Sequence, residues 1–199
     1  MQFISNRQIV LASGSPRRRE LLGVLGIPIK VLPSNIDENV ELIDGDFNVY
    51  VQKLSMKKAD AVAKQEPDAV VIAADTIVVF EGEVYPKPGT EEQAEAFLKK
   101  FSGKTHSVFT GVSVLGAGKE IIFSVETKVA FKALDEQLIK AYVDSGDPMD
   151  KAGGYGIQTA GVLLVDKIEG DYSNVVGLPL SKLVEILRSE GIIQLKEGE

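Results

Sequence analysis

The apolar run at residues 69–80 constrains the fold more than any other part of the sequence. Its first half, residues 69–74, is Ala-Val-Val-Ile-Ala-Ala, which predicts a buried strand. Asp75 and Thr76 interrupt the run, which then continues to Phe80, and Glu81-Gly82 predicts a hairpin turn into the strand at residues 83–85. A carboxylate in a buried strand costs free energy unless it is paired or bound to a metal. We therefore predict that Asp75 is functional; the alternative is an acid that only caps a turn.

Strand-like and helical segments are mixed along the rest of the chain. The predicted strands are residues 9–12, 29–32, 83–85, 107–115, 121–131 and 161–168. The predicted helices are residues 17–25, 46–64, 90–101, 135–143 and 179–188, and residues 149–158 are predicted to form a glycine-rich loop. This mixture indicates an α/β or α+β fold with a mixed sheet. With 199 residues, the chain fits one domain, or two joined lobes that share a sheet.

Composition excludes several kinds of site. The chain has no cysteine, so disulfides, thiolate metal sites and a cysteine nucleophile are excluded. Its net charge of −7 makes nucleic acid an improbable partner, and a phosphate ligand would need a local basic site. No apolar run is long enough to cross a bilayer, and the first residues lack the apolar centre of a signal peptide. We expect a cytoplasmic protein without a membrane partner.

The segment at residues 13–19, Ser-Gly-Ser-Pro-Arg-Arg-Arg, offers such a basic site. Ser15 followed by Pro16 predicts a helix start, because a hydroxyl caps the helix and proline fits its first turn. The three arginines that follow oppose the positive end of the helix dipole, and a bound anion would offset this cost. The sequence indicates a phosphate site, and the alternative is a solvated basic helix face. The segment is neither a Walker loop nor a dinucleotide fingerprint.

Other candidates are weaker when each is taken alone. Lys87 lies between two prolines that fix its backbone, and Gln158 ends the glycine-rich loop with an amide able to recognise a base edge. Glu38 is a possible second carboxylate for a metal. The alternatives are that Lys87 is an exposed loop lysine, that the segment ending at Gln158 is a flexible loop, and that Glu38 belongs to a solvated acidic turn. His106, the single histidine, rules out a histidine cluster and is predicted to be structural.

Six segments, in this order, resemble the Maf family of nucleotide pyrophosphatases over essentially the whole chain. They are LASGSPRRRELL, IDE at residues 36–38, AADTIVV, GKTHSVFTGV, MDKAGGYGIQ and VVGLPLSKLVEIL. The resemblance implies one domain over residues 1–199, with an elongated, twisted, mixed or mostly antiparallel sheet flanked by helices. It also implies two lobes around a cleft that holds a nucleotide, and a homodimer.

The resemblance further implies hydrolysis of nucleoside triphosphates between the α- and β-phosphates, with Mg²⁺ or Mn²⁺. The supposed role is removal of noncanonical nucleotides, and arrest of cell division is also associated with the family. Asp75 matches the general base, and Glu38 with Asp75 matches the metal site. Ser13, Arg18, Lys58 and Lys87 match positions that contact phosphate in the family. Arg17, Thr76 and Gln158 indicate the subgroup that acts on dTTP and UTP. The subgroup that acts on 7-methyl-GTP instead has Trp at the position of Arg17 and Gln at the position of Thr76.

Two residues depart from the family pattern. Pro86 replaces the more usual Gly or Glu, which affects the expected reach of Lys87, and Thr159 replaces Gly after Gln158, which could alter the base pocket. Two rival functions stay open: a nucleotide-binding regulator of cell division without catalysis, and a phosphotransferase. The sequence does not rank dTTP, UTP, CTP and modified pyrimidine nucleotides as substrates.

Overall fold

The structure is a computed structural model that describes residues 2–38, 40–42 and 45–196. The chain divides into two compact units. Unit 1 consists of the described parts of Met1–Asp75, Thr110–Val125 and Gly177–Glu199, and unit 2 of Thr76–Phe109 and Glu126–Val176. The prediction of a single domain with two lobes around a cleft stays a prediction.

Strands and helices are mixed along both units. The strands are β1 (Phe3–Ile4), β2 (Ile9–Leu11), β3 (Ile29–Val31), β4 (Val70–Phe80), β5 (Glu83–Tyr85), β6 (Thr105–Gly116), β7 (Lys119–Phe131), β8 (Val165–Glu169) and β9 (Gln194–Leu195). The helices are α1 (Pro16–Gly23), α2 (Phe47–Ala63), α3 (Glu91–Phe101), α4 (Glu136–Asp144), α5 (Tyr172–Val176) and α6 (Leu180–Ser189). Short 3₁₀ segments are Asp147–Asp150, Ala152–Gly154 and Ala160–Leu164.

The main sheet is mixed, as predicted. Among the described residues its strand order is β3-β2-β4-β6-β7-β8, with β5 paired to β4. Strand β2 runs parallel to β3 and β4, whereas β5 is antiparallel to β4 and β8 is antiparallel to β7. Strands β4, β6 and β7 contribute residues to both units. A small antiparallel pair, β1 with β9, joins the two ends of the chain.

In unit 1, helices cover both faces of the sheet. Alternate residues of β2 and β4, such as Leu11 and Ile72, pack with Leu22 of α1 and with the leucines of α6. The residues between them, such as Val71, pack with Ala59 and Val62 of α2. This alternation places Asp75, one residue beyond Ala74, on the α2 side of the strand.

A close approach of α2 to β6 depends on Gly111. A Cβ atom at Gly111 would lie 2.3 Å from the carbonyl oxygen of Val51, so any larger residue would push the helix away. At the same contact, Ser55 and Ser113 join their hydroxyls at 2.8 Å in a buried hydrogen bond. Glycine at this position therefore sets the height of α2 above the sheet.

In unit 2, aromatic side chains form much of the core. Phe101 of α3 contacts Phe80, Tyr85 and Phe131 edge to face, and Tyr142 of α4 joins the same cluster. The predicted hairpin between β4 and β5 is confirmed, and its two turn residues both have positive φ, 52° at Glu81 and 80° at Gly82. This turn geometry matches the twist of paired antiparallel strands.

Two predicted segments differ from the structure. The predicted strand at residues 161–168 is wrong in its first half, because Ala160–Leu164 is a 3₁₀ segment and β8 covers only Val165–Glu169. Gly161 and Leu164 are buried while Val162 and Leu163 are exposed, a spacing of three that suits a 3₁₀ turn rather than a strand. The predicted loop at residues 149–158 contains 3₁₀ turns and is largely buried. Strands β1 and β9 and helix α5 were not predicted. In the described residues, no helix has the length and apolarity needed to cross a membrane.

Candidate active site

Asp75 lies inside strand β4, and its carboxylate is paired. The residue is 7% exposed, and Lys58 of α2, also 7% exposed, donates from Nζ to Oδ1 of Asp75 at 2.6 Å. A buried charge persists only when it has such a partner. Asp75 therefore lies within the strand and beside the Lys58 side chain, rather than at a turn that it caps.

The position of Lys58 corrects one detail of the sequence analysis. The amphipathic pattern of α2 predicts that its lysines occupy the exposed face. Lys58 instead lies on the buried face, together with Val51, Leu54 and Val62. Since a lysine is rarely buried unless paired, the pattern of apolar residues could not indicate this. The family resemblance alone singled it out.

Glu38 shares the same lysine. Its Oε1 lies 2.9 Å from Nζ of Lys58, and its side chain is 61% exposed. Lys57, the residue before Lys58, donates from Nζ to the carbonyl oxygen of Asp37 at 2.7 Å. Two consecutive lysines of α2 thus hold the segment at residues 36–38, and two carboxylates from different segments meet one ammonium group.

The start of α1 lies in the same unit and has the predicted form. Ser15 is the N-cap, Pro16 occupies the first turn, and the backbone N–H of Arg18 points to the Ser15 hydroxyl at 3.5 Å. The guanidinium of Arg18 donates to the Ser13 hydroxyl at 3.1 Å and to the carbonyl oxygen of Gly177 at 2.8 Å. These contacts fix the guanidinium close to the helix N-terminus.

Electrostatic coupling joins these groups into one site. Burial lowers the pKa of Arg18, and the charge of Arg17 acts in the same direction, while the charges of Asp75 and Glu38 oppose this. Burial, and then the charges of Asp75 and Glu38, raises the pKa of Tyr50, while Lys58 opposes the shift. The structure therefore brings together Ser13, Arg17, Arg18, Glu38, Lys58 and Asp75 within unit 1.

Tyr50 is a member of this site that the sequence analysis missed. It is half-buried on α2, eight residues before Lys58 and therefore about two helical turns away on the same side. The spacing of residues 50, 54 and 58 was the available signal. The spacing places Tyr50 near the site only if Lys58 is known to face inward, and the sequence does not show this.

The other predicted residues belong to unit 2. Thr76 follows Asp75 in β4 and is half-buried. Lys87 is exposed between Pro86 and Pro88, and Gln158 is exposed in a turn between the 3₁₀ segments Ala152–Gly154 and Ala160–Leu164. Their predicted roles in substrate binding stay predictions.

Asp75 and Glu38 offer carboxylate oxygens, the kind of ligand that a divalent metal ion such as Mg²⁺ requires. In the part of the chain that the structure describes, no group of three or more acidic or histidine side chains could hold an ion. Asp75 and Glu38 nevertheless converge on one cationic atom, Nζ of Lys58. Mg²⁺ commonly uses one or two carboxylates and completes its shell with water and substrate phosphates. These two residues fit a metal that binds together with a phosphorylated substrate.

His106 has a packing role, in line with its predicted structural assignment. It is 2% exposed, stacks on Phe101 with ring centroids 4.6 Å apart, and shares a 2.8 Å hydrogen bond between Nε2 and the Tyr155 hydroxyl. Burial lowers its pKa to about 3, so the ring is neutral at physiological pH.

A buried acid beside a lysine, arginines at the start of a helix and a mixed sheet characterise this α/β protein. Residues 8–190 match the Maf-like proteins, and the chain belongs to this family.

The chain is similar to curated proteins that carry the name dTTP/UTP pyrophosphatase. The one from Thermosipho africanus is 49% identical over 96% of this chain and 98% of its own. Those from Deinococcus radiodurans and Bacillus cereus (strain AH820) are 48% and 45% identical, over 93% and 94% of this chain and 94% and 97% of their own. A crystal structure of a nucleoside-triphosphatase, dITP/XTP pyrophosphatase, from Mycobacterium abscessus covers 67% of this chain and 76% of its own, with 14% identity and a TM-score of 0.39. That likeness is too distant to add to the description of the fold.

Proposed function

We propose that this protein hydrolyses nucleoside triphosphates, dTTP and UTP among them, to the nucleoside monophosphate and pyrophosphate. The single observation that carries the proposal is the buried pair of Asp75 and Lys58 in the electrostatic field of Arg18. The names of relatives at 45–49% identity over nearly the whole chain support the substrate class.

The cationic groups of unit 1 would hold the phosphates. Arg18 is oriented by Ser13 and Gly177, and a guanidinium fork can bind two phosphate oxygens at once. Lys58 contacts two carboxylates, one of them on an exposed side chain, so a phosphate can take the place of Glu38 beside its ammonium group. Arg17 adds positive charge at the helix start. Together these groups would neutralise the triphosphate and orient it for attack.

Asp75 would accept a proton from the attacking water. The water oxygen forms a bond to the phosphorus of the α-phosphate while its proton passes to the Asp75 carboxylate. The bond from that phosphorus to the bridging oxygen breaks, and pyrophosphate leaves. Lys58 fixes the orientation of the carboxylate through the 2.6 Å contact. Most of the rate would come from positioning and charge stabilisation, as in other phosphoryl transfers.

We also propose that Asp75 and Glu38 hold a divalent metal ion, Mg²⁺ or Mn²⁺, when substrate binds. The ion would neutralise phosphate charge and make a bound water more acidic. Support comes from the match of both residues to the family motifs and from their shared contact with Lys58, which places the two carboxylates near each other. Removing divalent ions with a chelator should abolish turnover, and adding Mg²⁺ or Mn²⁺ should restore it.

Specificity for dTTP and UTP is assigned to Arg17, Thr76 and Gln158, with Lys87 as a further phosphate contact. These assignments rest on the match to the family motifs. Gln158 is exposed and its amide can both donate and accept, which suits a pyrimidine edge. The homodimer and the cytoplasmic location stay predictions.

A substrate panel tests the proposal. The purified protein is incubated with dTTP, UTP, CTP, 7-methyl-GTP and ATP, with Mg²⁺ or Mn²⁺, and pyrophosphate and orthophosphate are measured separately. We expect pyrophosphate from dTTP and UTP, with less from the purine nucleotides. Nucleotide binding without product would favour a regulator, and a phosphorylated acceptor would favour a phosphotransferase; either result contradicts the proposal.

A further inference from the structure

Gln158 occupies the exposed end of a tight turn in unit 2. The backbone N–H of Thr159 donates to the carbonyl oxygen of Gly156 at 3.2 Å, which closes the turn around Ile157 and Gln158. Ile157 is buried at 6% exposure, whereas Gln158 is exposed. The turn is thus anchored on one side and presents the Gln158 amide on the other.

The side chain of Thr159 ties this turn to a carboxylate. Its Oγ1 lies 2.5 Å from Oδ2 of Asp147 and 2.9 Å from the carbonyl oxygen of Gly156. A hydroxyl has one proton, and a carboxylate is the stronger acceptor. Thr159, one of the two residues that depart from the family pattern, therefore links the turn to Asp147.

Tyr142 makes a second link to the same carboxylate. Its hydroxyl donates to Oδ2 of Asp147 at 2.6 Å and accepts from the backbone N–H of Gly156 at 3.0 Å. Lys151, which is 8% exposed, donates from Nζ to Oδ1 of Asp147 at 3.1 Å and to its carbonyl oxygen at 2.7 Å. Asp147 thus receives three side-chain donors, and two of them, Thr159 and Tyr142, hold the two ends of the turn.

Packing leaves the turn little freedom. A Cβ atom at Gly156 would lie 2.4 Å from Cε of Lys151 and 2.8 Å from Oγ1 of Thr159. One at Gly161 would lie 2.5 Å from the carbonyl oxygen of Gly156. Burial raises the pKa of the Asp147 carboxyl, but the hydrogen bonds from Thr159, Tyr142 and Lys151 outweigh it, and the net shift is downward.

We propose that Asp147, Tyr142 and Thr159 form a clamp that fixes the turn at residues 156–159 and so orients Gln158 towards the base of the nucleotide. Thr159 is then a positioning residue for pyrimidine recognition. This rests on the proposed function, in which Gln158 contacts the base. A turn ordered before binding loses less conformational freedom when the nucleotide arrives, so the clamp should strengthen binding.

The test compares binding of α,β-imido-dTTP, which resists cleavage between its first two phosphates, by isothermal titration calorimetry. Thr159→Val removes the hydroxyl and keeps the shape, and we expect its dissociation constant to rise about 3- to 10-fold, the scale of one lost hydrogen bond. Thr159→Ser keeps the hydroxyl and should bind like the wild type. Thr105→Val, the same change at an exposed strand position of the same unit, is the matched control.

A double-mutant cycle shows whether Thr159 acts through Gln158. In a Gln158→Ala background, Thr159→Val should weaken binding by less than about 1.5-fold, because coupled residues are not additive. Tyr142→Phe, which breaks the clamp from the other side, should reproduce the loss. In steady-state assays with dTTP, the change should fall on KM more than on kcat.

The outcomes separate the two proposals. Unchanged binding by Thr159→Val, or an equal loss with and without Gln158, overturns the clamp even if the wild type releases pyrophosphate. The predicted binding pattern without any turnover of dTTP or UTP by the wild type supports the clamp and overturns the hydrolase proposal.

Discussion

Two lysines, one in each unit, are buried to nearly the same extent but have different surroundings. Lys58 and Lys151 are 7% and 8% exposed, and each contacts two carboxylates. The partners of Lys151, Asp147 and Asp150, lie four residues and one residue before it in the chain, and it also donates to a backbone carbonyl. Lys151 thus fixes the local shape of its own segment.

Lys58 draws its partners from distant parts of the chain. Asp75 lies on β4, 17 residues later, and Glu38 lies in the segment before α2, 20 residues earlier. Glu38 is 61% exposed, and Asp150, a partner of Lys151, is 63% exposed, so the exposure of a partner does not separate the two lysines. The two lysines differ in the origin of their partners: those of Lys151 lie in its own segment, whereas those of Lys58 lie in two other segments of the chain.

The largest expected difference concerns activity. Lys58→Met should lower kcat/KM for dTTP by about 100-fold, because a positive charge that stabilises the phosphates and orients Asp75 is lost. Steady-state release of pyrophosphate measures this. Lys53→Met, the same change at an exposed position of α2, should stay within about twofold of the wild type, since an isolated surface charge contributes little. Equal activity of the two variants would remove Lys58 from the site.

Lys151→Met should act mainly on stability. We expect the free energy of unfolding to fall by about 2 kcal/mol, less than for a fully broken buried pair, because Tyr142 and Thr159 still donate to Asp147. Urea unfolding monitored by circular dichroism measures the change, with Lys167→Met on the exposed face of β8 as its control. A loss no greater than that of the control would show that the Lys151 network does not stabilise unit 2.

The smallest expected effect is a pH dependence in unit 2. His106 has a folded-state pKa of about 3, below its ordinary value of 6.5, so the unfolded chain binds the proton more readily. Stability should be full above pH 6.5 and fall as the pH drops towards 3, by about 1–2 kcal/mol between pH 7 and pH 5. Urea unfolding at these pH values checks this, and His106→Phe should flatten the dependence. Equal stability of the wild type at pH 7 and pH 5 would contradict the buried neutral ring.

Local patterns predicted the elements that carry the unit 1 site. The apolar run around Asp75 predicted the central strand, and Ser15-Pro16 predicted the start of α1, because both signals depend on neighbouring residues only. The hairpin at Glu81-Gly82 was predicted for the same reason. An acid inside a buried strand requires a partner, but the sequence does not indicate which residue pairs with Asp75.

Contacts between residues far apart in the sequence determine the features that the sequence did not predict. The inward position of Lys58 depends on Asp75 and Glu38, which no periodicity of α2 can indicate. The apolar residues of Ala160–Leu164 fit either a strand or a turn, and contacts of Gly161 with Gly156 and Tyr142 select the 3₁₀ form. Strands β1 and β9 are two residues long and pair across almost the whole chain, so neither has a local signal.

Asp75→Asn tests the central claim most directly, because it keeps the shape of the side chain and removes its basicity. Turnover of dTTP and binding of α,β-imido-dTTP are measured on the same preparation, with Asp60→Asn on the exposed face of α2 as the control. We predict that kcat for pyrophosphate release falls about 1,000-fold while the dissociation constant changes less than about fivefold. Release of pyrophosphate at a near-normal rate by Asp75→Asn would contradict the account.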